Sequence, residues 1–196
     1  MWNKMLQEIT HNYENKVFVL DNFIESDFIE HLVNEFIYYE NFWNFQHFKL
    51  TINSSFSSEE LFLFPCHKFN ENSPFHEQIL LINQQIKDFF IDFKLLNKSK
   101  PLMWCMEKGD YVPKHLDIID SLSKRKNYKA LLYFTDMKDM GGETIFHIDE
   151  FNKISVESKP GRLIFFSMEF PHSVNVINRN FKRKRIILNY EYESMS

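Results

Sequence analysis

Three features that define many protein classes are scarce in this sequence: cysteine, glycine and long apolar runs. Its 196 residues include two cysteines, Cys66 and Cys105, which lie far apart and form no CxxC pattern. This scarcity argues against a disulfide framework and against a cysteine-based zinc site, and it favours a reducing compartment.

No stretch approaches the roughly 20 apolar residues that a membrane-spanning helix needs. The N-terminal residues MWNKMLQEIT contain no apolar core of signal-peptide length. We therefore predict a cytoplasmic protein with no membrane partner.

The net charge of −4 lacks the basic excess that is typical of dedicated nucleic-acid binders. Nucleic acid is accordingly not an expected partner, although residues 182–185 form a local basic run.

The four glycines, Gly109, Gly141, Gly142 and Gly161, all lie in the second half of the chain. Glycine marks turns and close backbone approaches, so this distribution predicts a helix-rich first half and a second half of strands joined by turns. The chain length suits one domain. We predict a single domain over 1–196, with helix-rich support over 1–100 and a β-rich core over 101–193.

Apolar residues at helical spacing predict two helices, over 27–38 and 76–96, which we expect to buttress a sheet. The first half also offers strands at 17–20, 42–52 and 61–64, and a loop at 65–75. In the second half the predicted strands are 102–106, 129–134, 143–147, 153–157, 162–167, 172–177 and the closing RIILNYEY. Several short strands separated by turn signals predict a β-sandwich or barrel.

The pair His115 and Asp117 is the first pattern with chemical content. In an extended strand, residues i and i+2 point to the same side, so the imidazole and the carboxylate would converge. Histidine nitrogen with carboxylate oxygen is the ligand mixture of non-haem iron(II) sites. A third ligand has to come from elsewhere, and His172, at the head of a predicted strand, is the leading candidate. His147 is a rival that we interpret as structural or surface-exposed.

The motifs around this pair follow an informative order. GDYVPKHLD precedes ALLYFTD, GGET, KPGRLIFF, PHSV and, after the basic run, RIILNY. Over residues 102–192 this order resembles the 2-oxoglutarate/Fe(II)-dependent dioxygenase superfamily, especially its prolyl 4-hydroxylase-like branch. The opening VFVLDNFIESDFIEHL is also similar to the start of such domains. The resemblance implies an α+β, mainly β fold, with a double-stranded β-helix (jelly-roll) core that N-terminal helices buttress.

The resemblance also implies roles for single residues. His115, Asp117 and His172 would be the catalytic iron ligands. The far carboxylate of 2-oxoglutarate would meet a cation on the strand after the distal histidine, where arginine suits a two-pronged hydrogen bond. We favour Arg185, with Arg183 as the runner-up, and Tyr111 as a further cosubstrate contact or a packing residue.

The implied activity is hydroxylation of an organic substrate with release of succinate and CO2. It would use Fe(II), 2-oxoglutarate and O2, with ascorbate as reductant. A peptidyl proline is the favoured substrate. The alternatives are a free amino acid or other small metabolite, and a catalytically silent jelly roll that binds a partner. Residues 42–75 and 118–128 are the predicted specificity loops, and we interpret Arg162 as exposed at a strand start.

Overall fold

The computed structural model describes residues 6–8, 16–38, 46–50, 62–68, 75–95, 101–117 and 126–195. Within these ranges the chain forms two helices, α1 (Ser26–Tyr38) and α2 (His76–Phe89). Neither helix is long and apolar enough to cross a membrane.

Antiparallel strands make up two sheets in the described part of the chain. The large sheet has the order β1-β2-β11-β8-β13-β6-β4-β3, with β5 paired to β13, and the small sheet has the order β10-β9-β12-β7. The strands are β1 Leu6–Glu8, β2 Val17–Leu20, β3 Gln46–Leu50, β4 Phe62–Lys68, β5 Phe93–Leu95, β6 Leu102–Met106, β7 Val112–His115, β8 Asn127–Tyr133, β9 Thr144–His147, β10 Lys153–Val156, β11 Leu163–Ser167, β12 His172–Val174 and β13 Arg185–Ser194. This arrangement confirms the predicted mainly β, jelly-roll fold.

The large sheet is apolar on both faces, which explains the nearly continuous hydrophobic runs of its central strands. Alternate residues of β8 and β11 point to opposite sides. Leu132 and Phe165 belong to the core under the helices. Leu131 and Phe166 belong to a second core, which also contains Phe146 of the small sheet. The site described below lies between the two sheets, on this second side.

Two tyrosine hydroxyls of the long strand β13 form hydrogen bonds with helix α2, in addition to the apolar packing between them. The Tyr190 hydroxyl donates to the Ile79 carbonyl at 2.8 Å, and the Tyr192 hydroxyl donates to Asn83 Oδ1 at 2.8 Å. The helix therefore buttresses the sheet from the side opposite the small sheet, as its apolar stripe predicted.

The first half differs from its prediction in three ways. Its described residues carry five strands beside the two helices, and two of them, β1 and β5, were not among the predicted strands. The second helix ends at Phe89, and Phe93–Leu95 pair with the end of β13 instead of continuing the helix to residue 96. The predicted loop at 65–75 is wrong for 65–68, which belong to β4.

Proline within β4 has a simple explanation in the sheet register. Pro65 pairs with β3 on one side, whereas β6 pairs only from Cys66 onward. A proline is tolerated where no backbone N–H is needed by a neighbouring strand.

Residues 69–74 and most of the predicted specificity loops lie outside the described residues.

Candidate active site

The two neighbouring short strands β7 and β12 bring the three predicted metal ligands together. His115 is the last residue of β7 and pairs with His172, the first residue of β12. Asp117 follows two residues after His115, and its backbone N–H donates to the Met168 carbonyl at 3.1 Å. The local alternation of the strand and one cross-strand pair therefore place three ligand groups at one point.

The ligand atoms of His115, Asp117 and His172 all lie within 4.8 Å of one another. His115 Nε2 is 3.6 Å from Asp117 Oδ1, and His172 Nε2 is 3.2 Å from Asp117 Oδ2. All three side chains are nearly inaccessible to water, with 7%, 8% and 5% of their surface exposed, respectively. The cluster is thus compact, and it is shielded from solvent.

Backbone carbonyls orient both imidazoles. His115 Nδ1 lies 2.8 Å from the Pro113 carbonyl oxygen, and His172 Nδ1 lies 2.9 Å from the Phe170 carbonyl oxygen. Because a carbonyl accepts, each Nδ1 carries the proton and each Nε2 keeps its lone pair. Both lone pairs are therefore available to a metal ion on the side where Asp117 lies.

The charges of the cluster favour the protonation states that metal binding needs. Burial raises the pKa of the Asp117 carboxyl, but the Lys129 ammonium and the two neighbouring histidines outweigh burial and hold that pKa well below its usual range. Burial lowers the pKa of His172, against the opposing effect of Asp117. An ionised carboxylate beside neutral imidazole is the form that coordinates a cation.

The residues present fit a divalent iron ion. Within the described residues the Lys129 ammonium is the charged partner of the buried Asp117 Oδ2, at 2.5 Å. The Nε2 atoms of both histidines face the same carboxylate, at 3.6 and 3.2 Å. Two imidazole nitrogens and one carboxylate oxygen are the facial ligand set of non-haem iron(II).

A buried arginine lies in the same pocket. Arg185 is fully buried; its Nε donates to the Gly142 carbonyl at 2.7 Å, and one terminal nitrogen donates to Thr144 Oγ1 at 3.2 Å. The Thr144 hydroxyl shares a 2.5 Å hydrogen bond with the Tyr133 hydroxyl, and the Arg185 guanidinium lies 5.3 Å from the Tyr133 ring centre. None of the carboxylates in the described residues forms an ion pair with Arg185, so this buried cation can accept an anion.

One pocket joins the two groups. We name the triad side the metal end (His115, Asp117, His172) and the other side the arginine end (Arg185, Tyr133, Thr144). In the register of the small sheet, His172 pairs with Phe146 and Val174 pairs with Thr144. The two ends are therefore two residues apart along the strands, or about 7 Å. Apolar side chains of Trp104, Leu131, Val174 and Ile187 line the pocket with the polar Asn189.

The two other proposed cosubstrate residues lie elsewhere. Arg183 is exposed on the loop before β13. Tyr111 precedes β7, is 41% exposed and does not line the pocket. The tyrosine beside Arg185 is Tyr133, from strand β8. Residues 118–125 of the predicted specificity loop at 118–128 lie outside the described residues.

Two further side chains clarify the limits of the site. His147 Nε2 lies 2.9 Å from the Ser173 hydroxyl, and the triad forms without this histidine. The interpretation of Arg162 as exposed is wrong, because it donates to both Asp21 carboxylate oxygens at 2.5 and 2.9 Å and ties β11 to the end of β2. A charge at a strand start can be held by a loop that is distant in sequence.

Sequence reasoning missed three residues around the pocket. Thr144 lies in the GGET motif, but its partners come from other strands. Tyr133 shares its strand face with Leu131, which offered a weak signal. Lys129 was the plainest missed signal, because it is a charged residue within the otherwise apolar KALLYF strand. Their convergence depends on how the two sheets pack.

Comparison with known proteins points to one family. Residues 102–191 match the family model of the 2OG-Fe(II) oxygenase superfamily. A search of curated proteins finds no match. A prolyl-4-hydroxylase from Pseudomonas putida is 16% identical, with coverage of 92% of each chain and a TM-score of 0.63.

Two further solved structures share the fold. A prolyl hydroxylase from Trichoplax adhaerens, in complex with a hypoxia inducible factor peptide fragment, is 14% identical. The alignment covers 91% of this chain and 83% of that one, with a TM-score of 0.71. The viral collagen prolyl hydroxylase of Paramecium Bursaria Chlorella virus-1, in a 2OG complex, is 17% identical over 92% and 96% of the chains, with a TM-score of 0.62. Residues 102–191, a little under half of the chain, are thus similar to the 2OG-Fe(II) oxygenase superfamily, and this match supports a 2-oxoglutarate-dependent dioxygenase.

Proposed function

We propose that this protein is a 2-oxoglutarate-dependent dioxygenase that hydroxylates a peptidyl substrate, with proline as the favoured target residue. One observation carries the chemical part of the proposal: the two histidines of the His-Asp-His cluster line the same pocket as Arg185, a buried arginine to which the described residues supply no ion-pair partner. The fold shared with prolyl hydroxylases supports the choice of substrate class.

In this proposal His115, Asp117 and His172 hold Fe(II), and Arg185 binds the far carboxylate of 2-oxoglutarate. Tyr133 and Thr144 orient the guanidinium and offer hydroxyl groups to the same carboxylate. When bound, iron with 2-oxoglutarate and O2 supplies the oxidation, in which one oxygen atom enters a substrate C–H bond and the other enters succinate as CO2 leaves. We expect ascorbate to support turnover as a reductant.

The protein contributes orientation and a dry pocket. The Pro113 and Phe170 carbonyls hold the two imidazoles in one tautomer. Phe166 packs edge-on against His172, with ring centres 4.9 Å apart. Apolar walls keep water from the ligand groups, which strengthens their electrostatic interactions with bound ions.

Exposed apolar residues beside the site support a peptide as substrate. Tyr111, Leu116 and Val176 are 41%, 43% and 52% exposed, and each lies within a few residues of a pocket or triad residue. Exposed apolar side chains near a polar site suit contact with a partner chain. The Trichoplax adhaerens neighbour was solved with a peptide bound, which agrees with this substrate class.

The test is succinate release from 2-oxoglutarate in the presence of Fe(II), O2 and candidate substrates. Proline-containing peptides should stimulate release more than free proline, and mass spectrometry should show the gain of one oxygen atom in the peptide. Stimulation by free amino acids alone would replace the peptide with a small-molecule substrate. A metal-loaded protein that releases no succinate with any substrate would contradict the assigned chemistry.

A further inference from the structure

A lysine faces the metal end from the large sheet. Lys129 lies on β8 between the two sheets, on the same face as Leu131 and Tyr133, and it is 6% exposed. Its Nζ is 2.5 Å from Asp117 Oδ2. The lysine also lines the pocket that contains Arg185. A second cation therefore lies at the opposite end of the pocket from the arginine.

A buried ammonium group needs an anionic partner, because removing it from water costs several kcal/mol. In the metal-free site that partner is Asp117. A divalent ion at the triad would use the same carboxylate and would lie close to Lys129, which it would repel. With metal bound, Asp117 alone no longer offsets the positive charge around Lys129, so another anion is favoured there.

The balance of charge in the pocket indicates what that anion is. Of the described side chains in and around the pocket, Lys129 and Arg185 carry positive charge and Asp117 carries negative charge. A divalent metal ion adds further positive charge to a site with low exposure to water. A dianion whose two carboxylates reach the two ends of the pocket would offset most of this excess. The apolar wall formed by Leu131 and Ile187 between the ends suits a chain of methylene groups.

We propose that Lys129 is a second cation of the cosubstrate site and binds the carboxylate next to the 2-oxo group, while Arg185 binds the far carboxylate. This inference rests on the proposed function, because it takes 2-oxoglutarate as the dianion. This role differs from that of a lysine that only positions Asp117. Loss of a positioning lysine would weaken metal binding, whereas loss of an anion-binding lysine weakens binding of the 2-oxo acid.

Two probes separate the ends of the pocket in the Mn(II)-loaded protein. 2-Oxoglutarate carries both carboxylates, and 2-oxobutyrate carries only the carboxylate next to the 2-oxo group. Binding of either acid displaces water from Mn(II) and lowers the water-proton relaxation rate. This readout requires no turnover and measures weak as well as tight binding.

The variants are Lys129→Met, which removes the charge and keeps the length, and Lys129→Arg, which keeps the charge. Lys126→Met is the matched control, because Lys126 is exposed and directly precedes the same strand. Lys129→Met should weaken both acids by roughly 10- to 100-fold, the range expected for a lost charged hydrogen bond. Lys129→Arg should retain most of the affinity, and Lys126→Met should match the parent.

Mn(II) affinity separates this role from a structural one. Lys129→Met should bind Mn(II) at least as tightly as the parent, because a competing and repelling cation is gone. Weaker Mn(II) binding would show that Lys129 serves to position Asp117 and would overturn the inference. Lys129→Gln, checked by thermal unfolding, is the second neutral variant if methionine disturbs the packing.

Unchanged binding of 2-oxobutyrate by the folded neutral variants would also overturn the inference, and would leave the proposed function intact. A parent protein that binds Mn(II) but neither acid would overturn the proposed function itself, together with this inference. The experiment thus distinguishes a failure of the inference about Lys129 from a failure of the proposed function.

Discussion

The two ends of the pocket differ in how far the protein satisfies its own polar groups. At the arginine end, Arg185, Thr144, Tyr133 and the Gly142 carbonyl form a connected set of hydrogen bonds. At the metal end, two imidazole lone pairs and the Asp117 carboxylate, which Lys129 also contacts, converge on one point. The arginine end is therefore part of the folded framework, whereas the metal end is completed by what binds there.

The strands explain the difference. Arg185 begins the ten-residue strand β13, which lies in the middle of the large sheet between β6 and β8. The two triad histidines lie on β7 and β12, which have four and three residues in the small sheet, and Asp117 follows β7. We therefore expect substitutions at the arginine end to change stability as well as ligand affinity. Conservative substitutions at the metal end should act mainly on metal binding.

The largest expected effect is on metal affinity at the triad. His115→Gln and His172→Gln each remove one ligand and keep much of the side-chain volume. Each should weaken Mn(II) binding by more than about 100-fold, the upper range for loss of a residue that merely supports a ligand. Calorimetric titration with Mn(II) measures this, and thermal unfolding should show that the metal-free variants stay folded. The same titration on His147→Gln, the matched control, should give the parental affinity.

The second expected effect contrasts two neighbouring arginines. Arg185→Met should weaken 2-oxoglutarate binding to the Mn(II) protein by tens- to thousands-fold, because a buried carboxylate loses its charged partner. It should also lower the free energy of unfolding by about 1–3 kcal/mol, since the Gly142 carbonyl and Thr144 lose their donor. Arg183→Met, at an exposed position, should do neither. Larger effects of Arg183→Met than of Arg185→Met in both assays would assign the 2-oxoglutarate carboxylate to Arg183.

The triad and the mainly β fold could be predicted from the sequence for a physical reason. A carboxylate two residues after a histidine faces the same side of a strand whatever the rest of the chain does. The end of α2 and the strand at Phe93–Leu95 depend instead on pairing with β13, which no local pattern reveals. The same holds for Arg162 and Asp21, which are 141 residues apart. Lys129 and Tyr133 join the site through the packing of two sheets.

A smaller effect is expected when only a hydroxyl is removed from the arginine end. Tyr133→Phe breaks the hydrogen bond to Thr144 and should weaken 2-oxoglutarate binding by about 2- to 10-fold, with unchanged Mn(II) affinity. Tyr192→Phe is the matched control, because it loses a buried hydroxyl bonded to Asn83 on the far side of the sheet. Its 2-oxoglutarate affinity should equal that of the parent. Equal losses in both variants would mean that the hydroxyl acts through stability alone.

The smallest effect concerns pH and a histidine outside the triad. Burial, with Lys114, Lys153 and His172 nearby, lowers the pKa of His147 to about 4. Between about pH 6.5 and pH 4 the unfolded chain takes up a proton at this residue and the folded chain does not, so stability falls as the pH falls. The melting temperature of His147→Gln should therefore decrease less than that of the parent from pH 6.5 to pH 4.5. Equal decreases of the melting temperature in the two proteins would show that groups other than His147 cause the loss of stability.

In the proposed function, one molecule of 2-oxoglutarate spans the two ends of the pocket, with iron at the metal end. The most direct measurement is an anaerobic titration of the Fe(II)-loaded protein with 2-oxoglutarate, followed by visible absorption. A weak charge-transfer band should grow to saturation at one equivalent in the parent. It should be absent with succinate, which lacks the 2-oxo group, and should need much more 2-oxoglutarate in Arg185→Met. Tight Fe(II) binding without any band at saturating 2-oxoglutarate would contradict this account of the site.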